Sequence, residues 1–136
     1  MAWALRYGRR KVARALIAKG ACLDRRAWLR GYGALRMAAE LGDAEIVGDL
    51  LRKGANVNVT SGCGATPLHV ASVHGRTAIA LALLEAGANA SVRTSCSGEC
   101  PGGCCVVVPA GVTPLRLAVL RNHRATADVL RSCDDR

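Results

Sequence analysis

The chain has 136 residues and is 51% hydrophobic, enough for a single core, and this composition excludes extended disorder. No apolar run reaches the roughly 18–20 residues that cross a bilayer, and the N-terminus lacks the unbroken apolar stretch of a secretory signal, so an intracellular protein, cytoplasmic or nuclear, with no membrane span is expected. The net charge is +9, with nine basic residues against the lone acid Asp24 in residues 1–32, and the seven cysteines, odd in number, exclude complete pairing within the chain.

From the N-terminus onward, one pattern returns four times. "AWALRYGRRKVARALIAKGA" (2–21) matches the second segment at an offset of 34, pairing Gly8 with Gly42 and Gly20 with Gly54. "GYGALRMAAELGDAEIVGDLLRKGANV" (31–57) matches "GATPLHVASVHGRTAIALALLEAGANA" (64–90) at an offset of 33, and "GVTPLRLAVLRNHRATADVLRSC" (111–133) follows at 47. The larger last offset places an insertion of 14 residues between Gly87 and Thr113, where "CSGECPGGCC" (96–105) lies, and an expanded loop at about 96–110 is expected. The chain therefore divides into units at about 1–30, 31–63, 64–96 and 111–136.

Each unit reads as two short helices. Thr66 and Thr113 are placed to cap a first helix, with Pro67 and Pro114 at its first position, where a missing N–H costs nothing. The second unit has Gly33-Ala34 there instead. Gly75, Gly42 and Gly8 are expected to end the first helix in a left-handed turn, with Asn122 taking that place in the fourth unit. Second helices follow, with Ile46, Val47, Leu50 and Leu51, then Ile79, Leu83 and Leu84, at helical spacing. Pairs this small cannot bury their apolar faces alone, so the units must stack.

"TPLH" (66–69), "TPLR" (113–116), "LLRKGANVN" and "LLEAGANAS" resemble the ankyrin repeat, and the resemblance covers nearly the entire chain. It implies an all-α solenoid of stacked helix pairs with hairpin loops, a single domain that binds proteins through a concave groove, acting as an adaptor or inhibitor. It gives His69 a structural role in the turn. Because His69, His74 and His123 lie at scattered positions, no serine or cysteine sits in a nucleophile motif and no Gly-rich loop follows a strand, no enzyme and no cofactor are expected. Arg131, where the earlier units have Leu84 and Leu51, suits an outer face turned to water.

The family's recognition positions, carried over residue by residue, fall on Arg6 and Tyr7, Glu40 and Leu41, Val73 and His74, and Leu120 and Arg121 before the mid-unit turns. On the hairpins they fall on Leu29, Arg30, Tyr32, Gly62, Cys63, Ala65 and Val112. Leu41, Val73 and Leu120 are expected as exposed apolar contacts flanked by tyrosine and arginine, types enriched at binding hot spots. Asn58 matches a position at which the family is hydroxylated.

Two features stay open at this level. The basic end suits a solvated cap, a patch for an acidic protein, a nucleic-acid or anionic-membrane contact, or a targeting signal such as "GRRK" (8–11); a monomer with a protein partner, an acidic one fitting this end, is the expectation, and nucleic acid is not. Cys96, Cys100, Cys104 and Cys105 supply four thiols that suit zinc, a redox-sensitive disulfide or a plain loop. The adjacent Cys104 and Cys105 are awkward in one tetrahedron, so no metal is expected.

Overall fold

The computed structural model describes residues 7–20, 34–60, 64–95 and 110–134. Seven helices form among them and no strand: α1 (Arg10–Ala18), α2 (Ala34–Leu41), α3 (Ala44–Arg52), α4 (Pro67–Val73), α5 (Thr77–Glu85), α6 (Pro114–Leu120) and α7 (Arg124–Asp134). The fold is the expected all-α stack.

Local chemistry sets the helix starts. The Thr66 hydroxyl accepts from the His69 amide at the head of α4, and the Thr113 hydroxyl accepts from the Arg116 amide at the head of α6, each followed by a buried proline. Asp43 caps α3 through its carboxylate, which accepts from the Ile46 amide at 3.3 Å.

The helix ends use the left-handed region. Gly75 has φ +64, and Asn122, its counterpart at the end of α6, has φ +60, the one non-glycine residue there among the described residues. Asparagine tolerates this conformation better than most side chains, which is why it substitutes for glycine at this turn. Gly8 and Gly42 share the same geometry at the matching turns.

The helices form two layers. α2, α4 and α6 pack side by side as the first helices, and α1, α3, α5 and α7 as the second helices, with each first helix also packed on its own second helix. Ala38, Ala71 and Ala118 are fully buried at equivalent positions on the first helices and permit close approach. Ile46, Leu50, Leu68, Ile79, Leu83 and Leu130 fill the space between the layers as one continuous cluster. Burial of each such side chain contributes about 1.5–3 kcal/mol before entropy is counted.

Side-chain links between units reinforce the stack. The Asn58 amide spans two neighbouring loops: its oxygen accepts from the Asn89 amide at 2.8 Å and its nitrogen donates to the Gly87 carbonyl at 3.4 Å. Thr77 and Thr126 join α5 to α7 by a hydroxyl bond of 2.9 Å.

The described residues that flank segment 96–109 form a closed neck. The Thr94 amide donates to the Val112 carbonyl at 3.2 Å, the Gly111 amide donates to the Thr94 carbonyl at 2.6 Å, and the Thr94 hydroxyl accepts from the Val112 amide at 3.2 Å. The Arg93 guanidinium adds a bond to the Gly111 carbonyl. Residues 93–94 and 111–112 are thus held together.

Candidate functional site

The candidate surface is built at the C-terminal ends of the first helices, where each unit turns toward its second helix. Here the backbone turns bring equivalent positions of successive units into a row. Tyr7 is 63% exposed, Leu41 45% and Leu120 58%, so three of the apolar or aromatic candidates face solvent. Arg121 is exposed, and Glu40 and His74 are half-buried.

Three candidates are not surface groups. Val73 is only 7% exposed, because it packs with Val112 and Leu117 of the fourth unit in a small apolar cluster of its own. Val112 is buried in that cluster, and Ala65 is buried where the chain enters α4. The expectation that Val73 stands as an exposed contact between Leu41 and Leu120 is therefore corrected: its place in the row is taken up by packing between units. Arg6, Leu29, Arg30, Tyr32, Gly62, Cys63, Cys96, Cys100, Cys104 and Cys105 lie outside the described residues.

The row has a charge pattern that motif reading missed. Arg76, which follows Gly75, lays its guanidinium over Gly42 of the preceding unit, so close that a Cβ there would stand 2.6 Å from the guanidinium carbon. His123, the equivalent residue of the next unit, lies over Gly75 and bonds the Val73 carbonyl through Nε2 at 3.0 Å. In the third and fourth units the residue after the mid-unit turn thus reaches back across the seam. Its signal in the sequence was the position itself, one place after the glycine.

His74 sits among these groups. Burial lowers its basicity most; the Glu40 carboxylate opposes this, while Arg76, Arg121 and His123 add to the lowering. Its net shift is downward, so the neutral imidazole is favoured and the charge of the row rests on the arginines. Glu40 supplies a carboxylate on the same row.

His69 is buried and fully engaged. Its Nδ1 accepts from the Thr66 amide at 3.1 Å, which leaves the proton on Nε2, and Nε2 donates to the Val112 carbonyl at 3.1 Å. Burial holds its basicity below the ordinary histidine value despite the bond to the Val112 carbonyl. A neutral, inaccessible imidazole with both nitrogens committed ties the third unit to the neck and has no free face for acid–base work.

The basic end is partly absorbed by the fold. Arg10 on α1 pairs with the buried Asp43 carboxylate, and Arg14 pairs with Asp49 at 3.0 Å and Glu45 at 3.5 Å. Asp49 also pairs with Arg52. Burial pushes the Asp43 carboxyl up, but the bonds from Arg10 and the Ile46 amide prevail and hold it below the usual carboxylate value. Two arginines of the basic segment thus fasten the first unit to the second. Arg9, Lys11 and Lys19 are exposed on the same helix or its ends.

Arg131 is exposed and pairs with Asp128. Among the described residues no three or more His, Cys, Asp or Glu side chains come together in a way that would hold a metal ion. No helix of the described residues is long and apolar enough to cross a membrane. The arrangement offers shape, apolar contact and fixed charge.

Comparison with known proteins gives the same picture. The family model for ankyrin repeats in three copies matches residues 35–135. The chain is 40% identical over 82 residues to the human ankyrin repeat domain-containing protein SOWAHB, covering 54% of this chain and 10% of that protein. It is 30% identical over 120 residues to mouse Rabankyrin-5, covering 85% and 10%, and 37% identical over 115 residues to the mouse nuclear factor NF-kappa-B p105 subunit, covering 76% and 11%. The chain thus spans about a tenth of the length of these relatives. With its stacked helix pairs, capped first helices and left-handed mid-unit turns, the chain belongs to the ankyrin-repeat family, whose members generally serve as protein–protein interaction modules and are typically not enzymes.

Proposed function

We propose that the chain is an intracellular adaptor or inhibitor module that works as a monomer and holds a segment of a protein partner along the row at the ends of its first helices. The observation that carries this reading is the exposure of Tyr7, Leu41 and Leu120 at the mid-unit turns of the first, second and fourth units, with Arg76 and Arg121 exposed at the turns of the third and fourth. Apolar groups of this size, rimmed by guanidinium, are the composition of binding hot spots. The excess of arginine over the carboxylate of Glu40 favours an acidic segment. Arg30, Leu29, Tyr32 and Cys63 would extend the contact on the hairpin side.

The test is affinity capture followed by mass spectrometry, with the triple variant Tyr7→Ala, Leu41→Ala and Leu120→Ala as control. The captured partner should bind the variant at least about tenfold more weakly, or by about 1.4 kcal/mol, while the helical circular dichroism stays unchanged. Unaltered affinity would remove the row from the binding site. A fall in affinity of orders of magnitude between about 50 and 200 mM salt would instead indicate phosphate contacts and a nucleic-acid ligand.

A further inference from the structure

His74 lies in the row between the second and fourth units. It ends α4 at φ −92 and ψ 1, and Arg121 ends α6 in the same way at φ −91 and ψ 5, so the two side chains leave equivalent turns of adjacent units. The residue that follows each turn is pinned by its backbone. The Arg76 amide donates to the Ala71 carbonyl and the His123 amide to the Ala118 carbonyl, both at 2.8 Å, and their side chains lie over Gly42 and Gly75 of the preceding unit. Four groups therefore face the His74 ring from the elements around it: Glu40 from α2, Arg76 from its own turn, and Arg121 and His123 from the turn after α6.

The charges at this seam do not balance. Arg76 and Arg121 are exposed and permanently charged, whereas Glu40 is the one carboxylate among the described residues that acts on His74. The ring has unused hydrogen-bonding capacity, because its Nε2 is buried with no hydrogen-bond partner among the described residues. Burial keeps it neutral, and the guanidinium groups and His123 add to this against Glu40. An anion held by Arg76 and Arg121 would cancel their repulsion and leave burial opposed by two negative groups, so the ring would gain affinity for a proton. The coupling is reciprocal: such an anion must bind more tightly where the proton is available.

We propose that Arg76 and Arg121 clamp a carboxylate of the bound partner segment and that His74 takes up a proton from water as the segment binds, so that the row holds an acidic segment more tightly as pH falls. This rests on the reading of the row as a protein-binding surface and adds to it the anchoring group and its proton coupling.

The test uses the full chain, with N-acetylated hexaglutamate amide as the probe and the imidazole NMR signals of His69, His74 and His123 followed against pH. Saturating peptide should move the His74 midpoint upward, and sodium chloride at the same ionic strength should move it less. The peptide should bind at least about threefold more tightly at about pH 5.5 than at about pH 8, and His74→Gln should bring that ratio close to one. Arg76→Ala with Arg121→Ala should raise the His74 midpoint of the free protein and cancel the effect of the peptide on it. Loss of structure would not give that pattern, because it would also release His69 from burial, and the His69 midpoint should stay where it is. A His74 midpoint that the peptide moves no further than salt does, or a pH ratio that survives His74→Gln, overturns the proposal. So does a thymidine oligonucleotide that moves the midpoint where the peptide does not, because phosphate would then be the ligand. The row itself fails by a different result, an unaltered affinity of the captured partner for the Tyr7→Ala, Leu41→Ala and Leu120→Ala variant.

Discussion

Deleting residues 96–109 should leave a folded stack that is more stable than the parent. The neck supplies the reason. The Gly111 amide already donates to the Thr94 carbonyl at 2.6 Å, so joining Ser95 to Ala110 makes Thr94, Ser95, Ala110 and Gly111 a four-residue turn closed by that same bond. Gly111 has φ +70, as does Gly64 at the matching place one unit earlier. The segment from Thr94 to Gly111 spans 18 residues in the parent and four after excision. Loop-closure entropy scales as three-halves RT times the logarithm of loop length, which gives about 1.3 kcal/mol in favour of the shorter loop. Urea titration followed by far-ultraviolet circular dichroism should show the same native signal and a free energy of unfolding higher by about 1 kcal/mol. Zinc content should be equal in the two proteins, since no metal is expected at Cys96, Cys100, Cys104 and Cys105. A loss of more than about 1 kcal/mol, or a protein that does not fold, would show that the neck depends on the segment it closes and would refute the reasoning. A zinc equivalent present in the parent and lost on excision would promote the metal reading of those cysteines.

Alanine at Gly75 should cost about 2–4 kcal/mol, against about 1–2 at Gly54: both positions are left-handed, but the added Cβ meets His123 Nδ1 at 2.5 Å only at Gly75. The excess should vanish when His123→Ala is introduced first, and an unchanged cost in that background would rule out the seam contact. Stability should also fall with acid through His69. Its basicity in the fold lies below its unfolded value of about 6.5, so the unfolded chain takes up the proton first and stability is full above about pH 6.5, then declines as pH drops through the folded value. His74 is shifted the same way and adds to the slope. Urea titrations of His69→Asn should show a smaller slope below about pH 6.5; an identical slope would assign it elsewhere. Replacing Gly33-Ala34 by Thr-Pro, the pair that heads α4 and α6, should raise stability by about 1 kcal/mol, measured as the urea midpoint, and a loss would mean that the second unit starts at a different residue.

Local chemistry repeats with the chain, and so it was legible in the residues. Thr66 and Thr113 cap because a hydroxyl three residues before an amide finds it whatever lies across the seam. Gly75 and Asn122 sit in the left-handed region because few other residues do, and the offsets of 33 and 47 located the insertion before its neck was seen. Contacts between units were a different matter. Val73 reads as equivalent to Leu120, yet one is buried and the other exposed, because exposure depends on whether a Val112 and a Leu117 lie across the seam. The pairing of Arg10 with Asp43 joins residues 33 positions apart, which a list of charges does not connect. Val119 and Ser72 hold the same place in the repeat, and only the stack in three dimensions makes Ser72 a core residue and Val119 a surface one. Periodicity fixes what each residue is within its unit; packing against a neighbour of different composition fixes what it touches, and binding depends on the second.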